Sequence, residues 1–299
     1  MMMMIIPSQI QIETVAGLCN LRCIMCTVEQ SLRKGIMHND TYQNILERFL
    51  PYKKHIEHVS LLGLGETLID KDVAKKIQLT KTLDGGYKGV GIYTNGMLLT
   101  TKLSLELLEA KLDTLIVSMD GITKNTQEKI RIGSDVNMII YNIMQFIQLR
   151  NSSKEYSTKI IIRFTEQDIN KYQWRDFYIY WKKRLDFNKG DLILNYPVHN
   201  VGNMKKSFTP SRYDIAGIKC KEVYDRIIIF LDGKIGLCCG DQFNKYENGN
   251  IFESDPIELY NKGHFTHFRN EMDKGNILGL ELCSKCSVAY SILMKKEVR

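Results

Sequence analysis

The sequence predicts an α/β protein: a partial (β/α)6 barrel followed by a small C-terminal extension made of a β-hairpin and short helices. Three observations point there. Short β-rich runs alternate with amphipathic helical segments through the first two thirds of the chain, the pattern of a parallel sheet wrapped by helices. The alternation stops at residues 199–219, a stretch with Gly, Pro, Ser and Lys and no clear periodicity, which reads as a linker. The cysteines fall into two groups, Cys19, Cys23 and Cys26 near the start and Cys220, Cys238, Cys239, Cys283 and Cys286 near the end, with none between. We therefore divide the chain into a barrel over residues 1–200 and a cysteine-bearing unit over 201–299.

In order, strands are expected at Gln9 to Val15, His58 to Leu62, Gly89 to Thr94, Thr114 to Met119, Lys159 to Thr165 and Asp191 to Pro197, all rich in β-branched and aromatic residues. Helices are expected at Thr41 to Leu50, Asp72 to Thr82, Ser104 to Ala110, Met138 to Leu149 and Tyr172 to Lys183, where apolar residues recur at i, i+3 and i+4. After the linker, RIIIFLDGKIGLCC reads as a hairpin of Arg226 to Phe230 and Lys234 to Cys238 turned by Asp232-Gly233. Short helices near Pro256 to Tyr260 and His264 to Met272 follow.

Composition narrows the function. The chain of 299 residues is 44% hydrophobic and 25% charged, so it buries a full core without help. No apolar run approaches the ~18 to 20 residues of a membrane-spanning helix, and the N-terminal residues lack the layout of a signal peptide, so a cytoplasmic protein is expected. The net charge of +7 is spread among acidic residues. It suits a solvated surface or a basic cleft for an anionic small-molecule substrate, and without a basic helix or stacking motif nucleic acid is not an expected partner. Eight cysteines without a secretion signal argue for metal or redox chemistry over disulfides.

GLCNLRCIMC places three cysteines as C-x3-C-x2-C with no fourth Cys or His at ligand spacing. Structural zinc takes a closed tetrahedron and would be short of a ligand. Iron–sulfur clusters are normally held by four thiolates, so three leave one iron open. This loop, set after an early strand, resembles the cluster loop of the radical S-adenosylmethionine superfamily. The resemblance implies a partial TIM-like barrel. It also implies a 4Fe-4S cluster on Cys19, Cys23 and Cys26 whose fourth iron is chelated by S-adenosyl-L-methionine, and a 5′-deoxyadenosyl radical that abstracts hydrogen from substrate. Gly63-Leu64-Gly65-Glu66 at the end of the second strand is similar to the family's segment that receives the methionine amino group. Thr94-Asn95-Gly96 after the third strand, and Ser118 and Asp120 after the fourth, resemble the segments that reach ribose and methionine. Arg163 on the fifth strand is a candidate for the cofactor carboxylate or a substrate anion. Thr67 stands where many relatives have Pro.

The later cysteines read C-x17-C-x44-C-x2-C when Cys220, Cys238, Cys283 and Cys286 are taken as ligands, a count that four-thiolate zinc would also satisfy. Their company, KCKEVYDRIIIFLDGKIGLCCGD through ELCSKC, resembles the SPASM or shortened "twitch" extension of radical S-adenosylmethionine enzymes. That implies one auxiliary 4Fe-4S cluster fully ligated by protein, with Cys238 favoured over Cys239 as ligand. The resemblance further implies an oxidoreductase, with a secondary alcohol on a sugar, cyclitol or nucleotide sugar oxidised to a ketone and a flavodoxin or ferredoxin as electron donor. The alternatives are an enzyme modifying a peptide substrate and, from another class, a zinc-binding adaptor without catalysis. Tyr93, Arg163, Asn195, Tyr196 and His199 lie near strand ends as candidate substrate contacts, and no general base is assigned.

Overall fold

The computed structural model describes residues 4–200 and 217–289. Most of the expected linker, 201–216, lies outside the described residues. One sheet of eight strands organises the molecule: β1 Gln9–Ile12, β2 His58–Leu61, β3 Val90–Thr94, β4 Thr114–Ser118, β5 Lys159–Glu166, β6 Leu192–Pro197, β7 Arg226–Ile229 and β8 Ile235–Gly236. Their spatial order is β6-β5-β4-β3-β2-β1-β7-β8. The first six are parallel neighbours in reverse chain order, which is the partial barrel expected.

Side chains alternate along each strand, so one set faces the helices and the other faces the barrel interior. Ile10, Ile12, Val59, Leu61, Ile92, Leu115, Val117, Ile160 and Ile162 all lie in the continuous core under the helices. Gln11, Tyr93, Ile116, Ile161, Arg163 and Tyr196 form part of an interior cavity instead. The helices are α1 Asn39–Arg48, α2 Val73–Thr82, α3 Thr101–Glu109, α4 Lys124–Ile130, α5 Val136–Asn151, α6 Trp174–Lys182, α7 Glu222–Asp225, α8 Pro256–Tyr260 and α9 Gly263–Asp273. Local chemistry starts several of them. The Asp135 carboxylate accepts from Asn137 N and Met138 N at the head of α5. Asp255 does the same for α8, which carries Pro256 in its first turn.

Three features differ from the sequence expectation. The first strand ends at Ile12, and Val15–Ala16 turns away to pair with Gly35–Ile36. Helix α4 was not foreseen, because KNTQEKI is short and mostly polar; Arg131–Ile132 just after it pair antiparallel with Arg22–Cys23. The C-terminal hairpin does not stand apart: β7 runs parallel to β1, from Gln9↔Arg226 to Ile12↔Ile229. The open flank of β1 would otherwise leave unpaired backbone groups, and RIII, apolar on both faces, suits a strand covered on both sides. The hairpin is also shorter than expected. Its return strand ends at Gly236, so Cys238 and Cys239 lie beyond the sheet and strand alternation does not sort them.

Candidate active site and metal centres

Cys19, Cys23 and Cys26 occupy a loop at the carboxyl end of the barrel strands, each partly exposed and none in a disulfide. Two neighbours pin it. On one side the glycine-rich turn after β2 docks by backbone hydrogen bonds, Gly17 N to Leu64 O and Glu66 N to Leu18 O, both 2.8 Å. That approach is why glycine stands at 63 and 65. A Cβ on Gly63 would lie 2.3 Å from Glu13 Cγ, and one on Gly65 would lie 2.8 Å from Val15 O. On the other side, Ile24 N donates to Ile130 O and Cys23 pairs with Arg131.

Glu66 is buried, and its carboxylate accepts from Thr94 Oγ1 at 2.6 Å, Asn95 N at 2.8 Å and Leu68 N at 3.1 Å. Burial raises its pKa against the pull of those donors. The turns after β2 and β3 are thus tied together through one carboxylate. Asn95 continues the chain of contacts, its side-chain amide reaching Asn20 Oδ1 at 2.8 Å and lying 4.0 Å from Cys19 Sγ. Asp120 is fully buried: Thr165 N donates to Oδ1 and Arg131 Nε lies 2.8 Å from Oδ2. It is occupied by these protein partners rather than presented as a free carboxylate to a ribose. Ser118 is paired in register with Arg163 across β4 and β5.

Arg131 is a residue beside the cysteine loop that sequence reasoning missed. Its guanidinium reaches from the buried Asp120 to within 3.8 Å of Cys23 Sγ. Burial works against its charge, and Asp120 and Cys23 more than offset that, holding its pKa above the ordinary range. No local motif marks it, because the contact depends on a two-residue strand pairing distant in sequence.

The thiols fit iron–sulfur ligation on chemical grounds. Burial lifts Cys19 to about 11 and raises Cys23 as well, so these groups ionise readily only when bound metal compensates. In the extension, Cys220 is pushed up to about 12 by burial, and Cys283 and Cys286 are also raised. Cys238 is raised by burial and then by Cys283, Cys286 and Cys220 together, whereas Cys239 feels Glu222, Cys238 and Cys286. Four thiols therefore share one neighbourhood, with Cys238 nearest in character to the other three. Among the described residues, no group of three or more His, Cys, Asp or Glu side chains is arranged to hold a single metal ion.

Between the two groups of thiols lies a cavity of about 520 Å³. Gly63 and Leu64 form its rim toward the first loop, and Cys238 and Cys239 border it on the other side. Tyr93, Arg163, Tyr196 and His199 line it, whereas Asn195 does not and donates instead to Glu166 Oε2 at 2.6 Å. Staples across the cavity join the two ends. Arg33 bonds Glu13 at 2.7 Å and Gln242 O at 2.7 Å, and Thr27 Oγ1 donates to Gln242 Oε1 at 2.7 Å.

A three-thiol loop at the mouth of a partial barrel, a glycine-rich turn docked on it, and a second thiol group across a cavity define a class. The chain belongs to the radical SAM superfamily, whose profile matches residues 14–170, and an iron-sulfur cluster-binding SPASM domain matches residues 220–287. It is a radical SAM enzyme, and its cofactors are S-adenosyl-L-methionine, a 4Fe-4S cluster and an auxiliary iron–sulfur cluster. Among curated relatives, the GTP 3',8-cyclase of Lactiplantibacillus plantarum is 30% identical over 44% of this chain and 39% of its own length. That of Limosilactobacillus fermentum is 24% identical over 75% of this chain and 77% of its own length. The chain thus spans well under half of the first of these and about half of the Clostridium botulinum enzyme.

Solved structures share the fold. BtrN in complex with AdoMet and 2-DOIA has a TM-score of 0.64 at 20% identity, covering 95% of this chain and 94% of that one. Streptococcus suis SuiB bound to its precursor peptide SuiA has 0.65 at 16%, covering 95% and 70%. AdoMet-bound anSMEcpe has 0.65 at 18%, covering 94% and 89%. Among the described residues no helix is long and apolar enough to cross a membrane.

Proposed function

We propose that this enzyme oxidises a secondary alcohol, on a sugar, cyclitol or nucleotide sugar bearing an anionic group, to a ketone. The observation that carries the reading is the cavity of about 520 Å³ with the glycine-rich turn beside the first cysteine loop on one side and Cys238 and Cys239 on the other. Such a volume suits a compact polar substrate. When bound, the first cluster with S-adenosyl-L-methionine supplies hydrogen-atom abstraction, and the auxiliary cluster supplies an electron sink. Cys19, Cys23 and Cys26 would hold the former, and Cys220, Cys238, Cys283 and Cys286 the latter. Four protein thiols saturate a cluster, which favours electron transfer over substrate ligation there.

The remaining roles belong to the polypeptide. The Gly63–Glu66 turn shapes the cofactor side, with Thr94, Asn95, Ser118 and the Asp120–Arg131 pair fixing the strand ends around it. Residues 1–200 would thus generate the radical and 201–299 would receive the electron, in a reducing, cytoplasmic setting that fits eight free cysteines. A reduced flavodoxin or ferredoxin is the proposed donor.

The second reading, modification of a peptide, is favoured by the likeness to SuiB bound to its precursor peptide. The GTP 3',8-cyclase relatives add a nucleotide to the candidate substrates. One experiment separates them. Anaerobically reduced enzyme and S-adenosyl-L-methionine are incubated with aminocyclitols, sugar phosphates, nucleoside-diphosphate sugars, GTP and short peptides, and products are weighed by mass spectrometry. The reading expects a product two hydrogens lighter than a polyol substrate, with one 5′-deoxyadenosine formed per turnover. An isomeric product, or turnover confined to GTP or peptides, would overturn it.

A further inference from the structure

Two residues on the cavity wall, Arg163 and His199, lie away from both cysteine loops in sequence. Arg163 rises from β5 with its Nε buried and, among the described residues, without a hydrogen-bond partner, its guanidinium carbon 5.3 Å from the centroid of the Tyr196 ring. Among the described residues no carboxylate pairs with it, and a half-buried cation left unpaired favours a bound anion. The other arginine on the wall is already satisfied, since Arg226 bonds Glu222 at 3.0 Å and Gln9 at 2.9 Å.

His199 sits two residues past β6 and is held from behind. The fully buried Asn200 gives its backbone N–H to Ser287 Oγ at 2.9 Å, and its side-chain oxygen accepts from Ser287 N at 3.1 Å and from the Ser287 hydroxyl at 3.1 Å. With its proton on Asn200, the Ser287 hydroxyl would accept from His199 Nδ1, 3.5 Å away, and that tautomer leaves Nε2 as the basic nitrogen.

We propose that Arg163 and His199 form an anion-gated proton acceptor: a substrate anion seated on Arg163 compensates its charge, and His199 Nε2 then takes the hydroxyl proton of the alcohol being oxidised. The proposal rests on the dehydrogenase reading for its substrate. The balance is complete: the alcohol loses a hydrogen atom from carbon, a proton from oxygen and one electron. The proton forms an imidazolium on His199, and the other two leave through the cofactors named above. Burial and the Arg163 charge push His199 down to about 4. Among the described residues the groups around it are Arg163 from β5, Tyr196 from β6 and Ser287 from the helical residues 287–289, with Glu13, Tyr93, Lys221, Glu222, Arg226, Cys238 and Cys239 on the same wall.

The test needs no turnover, so its failure is separate from failure of the dehydrogenase reading. Oxidised holoprotein carrying 15N-labelled histidine is titrated by NMR, with the His199 signal assigned from His199→Gln, in the presence and absence of inorganic phosphate. Phosphate is expected to move the His199 midpoint upward by about one pH unit or more, a tenfold gain in proton affinity. Arg163→Gln should raise the midpoint without phosphate and abolish the response to it, while Arg163→Lys should preserve the response. A midpoint indifferent both to phosphate and to Arg163→Gln would overturn the proposal.

Discussion

Cys238 and Cys239 are adjacent, yet the structure sets them in different company, and this is where a residue-scale prediction is sharpest. Cys238 interacts with Cys220, Cys283 and Cys286, whereas Cys239 feels Glu222 ahead of the other thiols. Cys238→Ala should lose the auxiliary cluster, about half of the bound iron, while Cys239→Ala keeps it; iron and sulfide analysis of anaerobically purified protein checks this, and equal losses would contradict it. His199 gives a pH prediction. Its folded-state pKa is pushed to about 4 from an ordinary 6.5, so over that interval the folded protein binds fewer protons than the unfolded chain. This contribution to stability is complete above about 6.5 and is lost as pH falls toward 4. Denaturant midpoints measured across that window should fall less steeply for His199→Gln than for the parent; parallel curves would contradict the assignment. At this scale the three-cysteine loop was legible because its ligands are near neighbours in sequence. Arg131 was not, since its partners Asp120 and Cys23 meet it only after a two-residue strand pairing has formed.

At the scale of elements, six parallel strands and most helices could be read from alternation and helical spacing, because each buries a face of one period. What escaped was set by partners instead of by pattern. Helix α4 has little apolar periodicity and is defined by its place between β4 and the Arg131–Ile132 pairing. The hairpin was legible, but its attachment to β1 was not, since nothing local specifies which sheet edge a strand such as RIII will cover. The Gly63-Leu64-Gly65-Glu66 segment is recognisable in the sequence by resemblance, but the reason for its glycines is not. Their immediate reason is the close approach of Glu13 and the Val15 carbonyl. Helix α5, which packs beneath the barrel, begins at the Asp135 cap. Asp135→Ala should cost about 1 kcal/mol of stability, read as a lowered denaturant midpoint, with cluster content unchanged. A change in iron content without loss of stability would assign Asp135 a different role.

For the whole molecule, the eight-stranded sheet is the device that relates the two centres. Its parallel strands carry the first centre and the cavity, and β7 joins the second thiol group to the same framework. Glu13, Arg33, Thr27 and Gln242 then close the cavity from the side of the cysteine loop. Sequence spacing identified both thiol groups and left open how they face one another, because that depends on the β1–β7 pairing. The proposed chemistry requires a cluster held by only Cys19, Cys23 and Cys26, with S-adenosyl-L-methionine completing the coordination of its fourth iron. The most direct measurement is electron–nuclear double resonance on the reduced protein with cofactor labelled by 15N at the amino group and 17O at the carboxylate. Magnetic coupling of both labels to the cluster is the predicted result, lost in Cys26→Ala. A reduced cluster that binds the cofactor yet shows no coupling to either label would contradict the central claim.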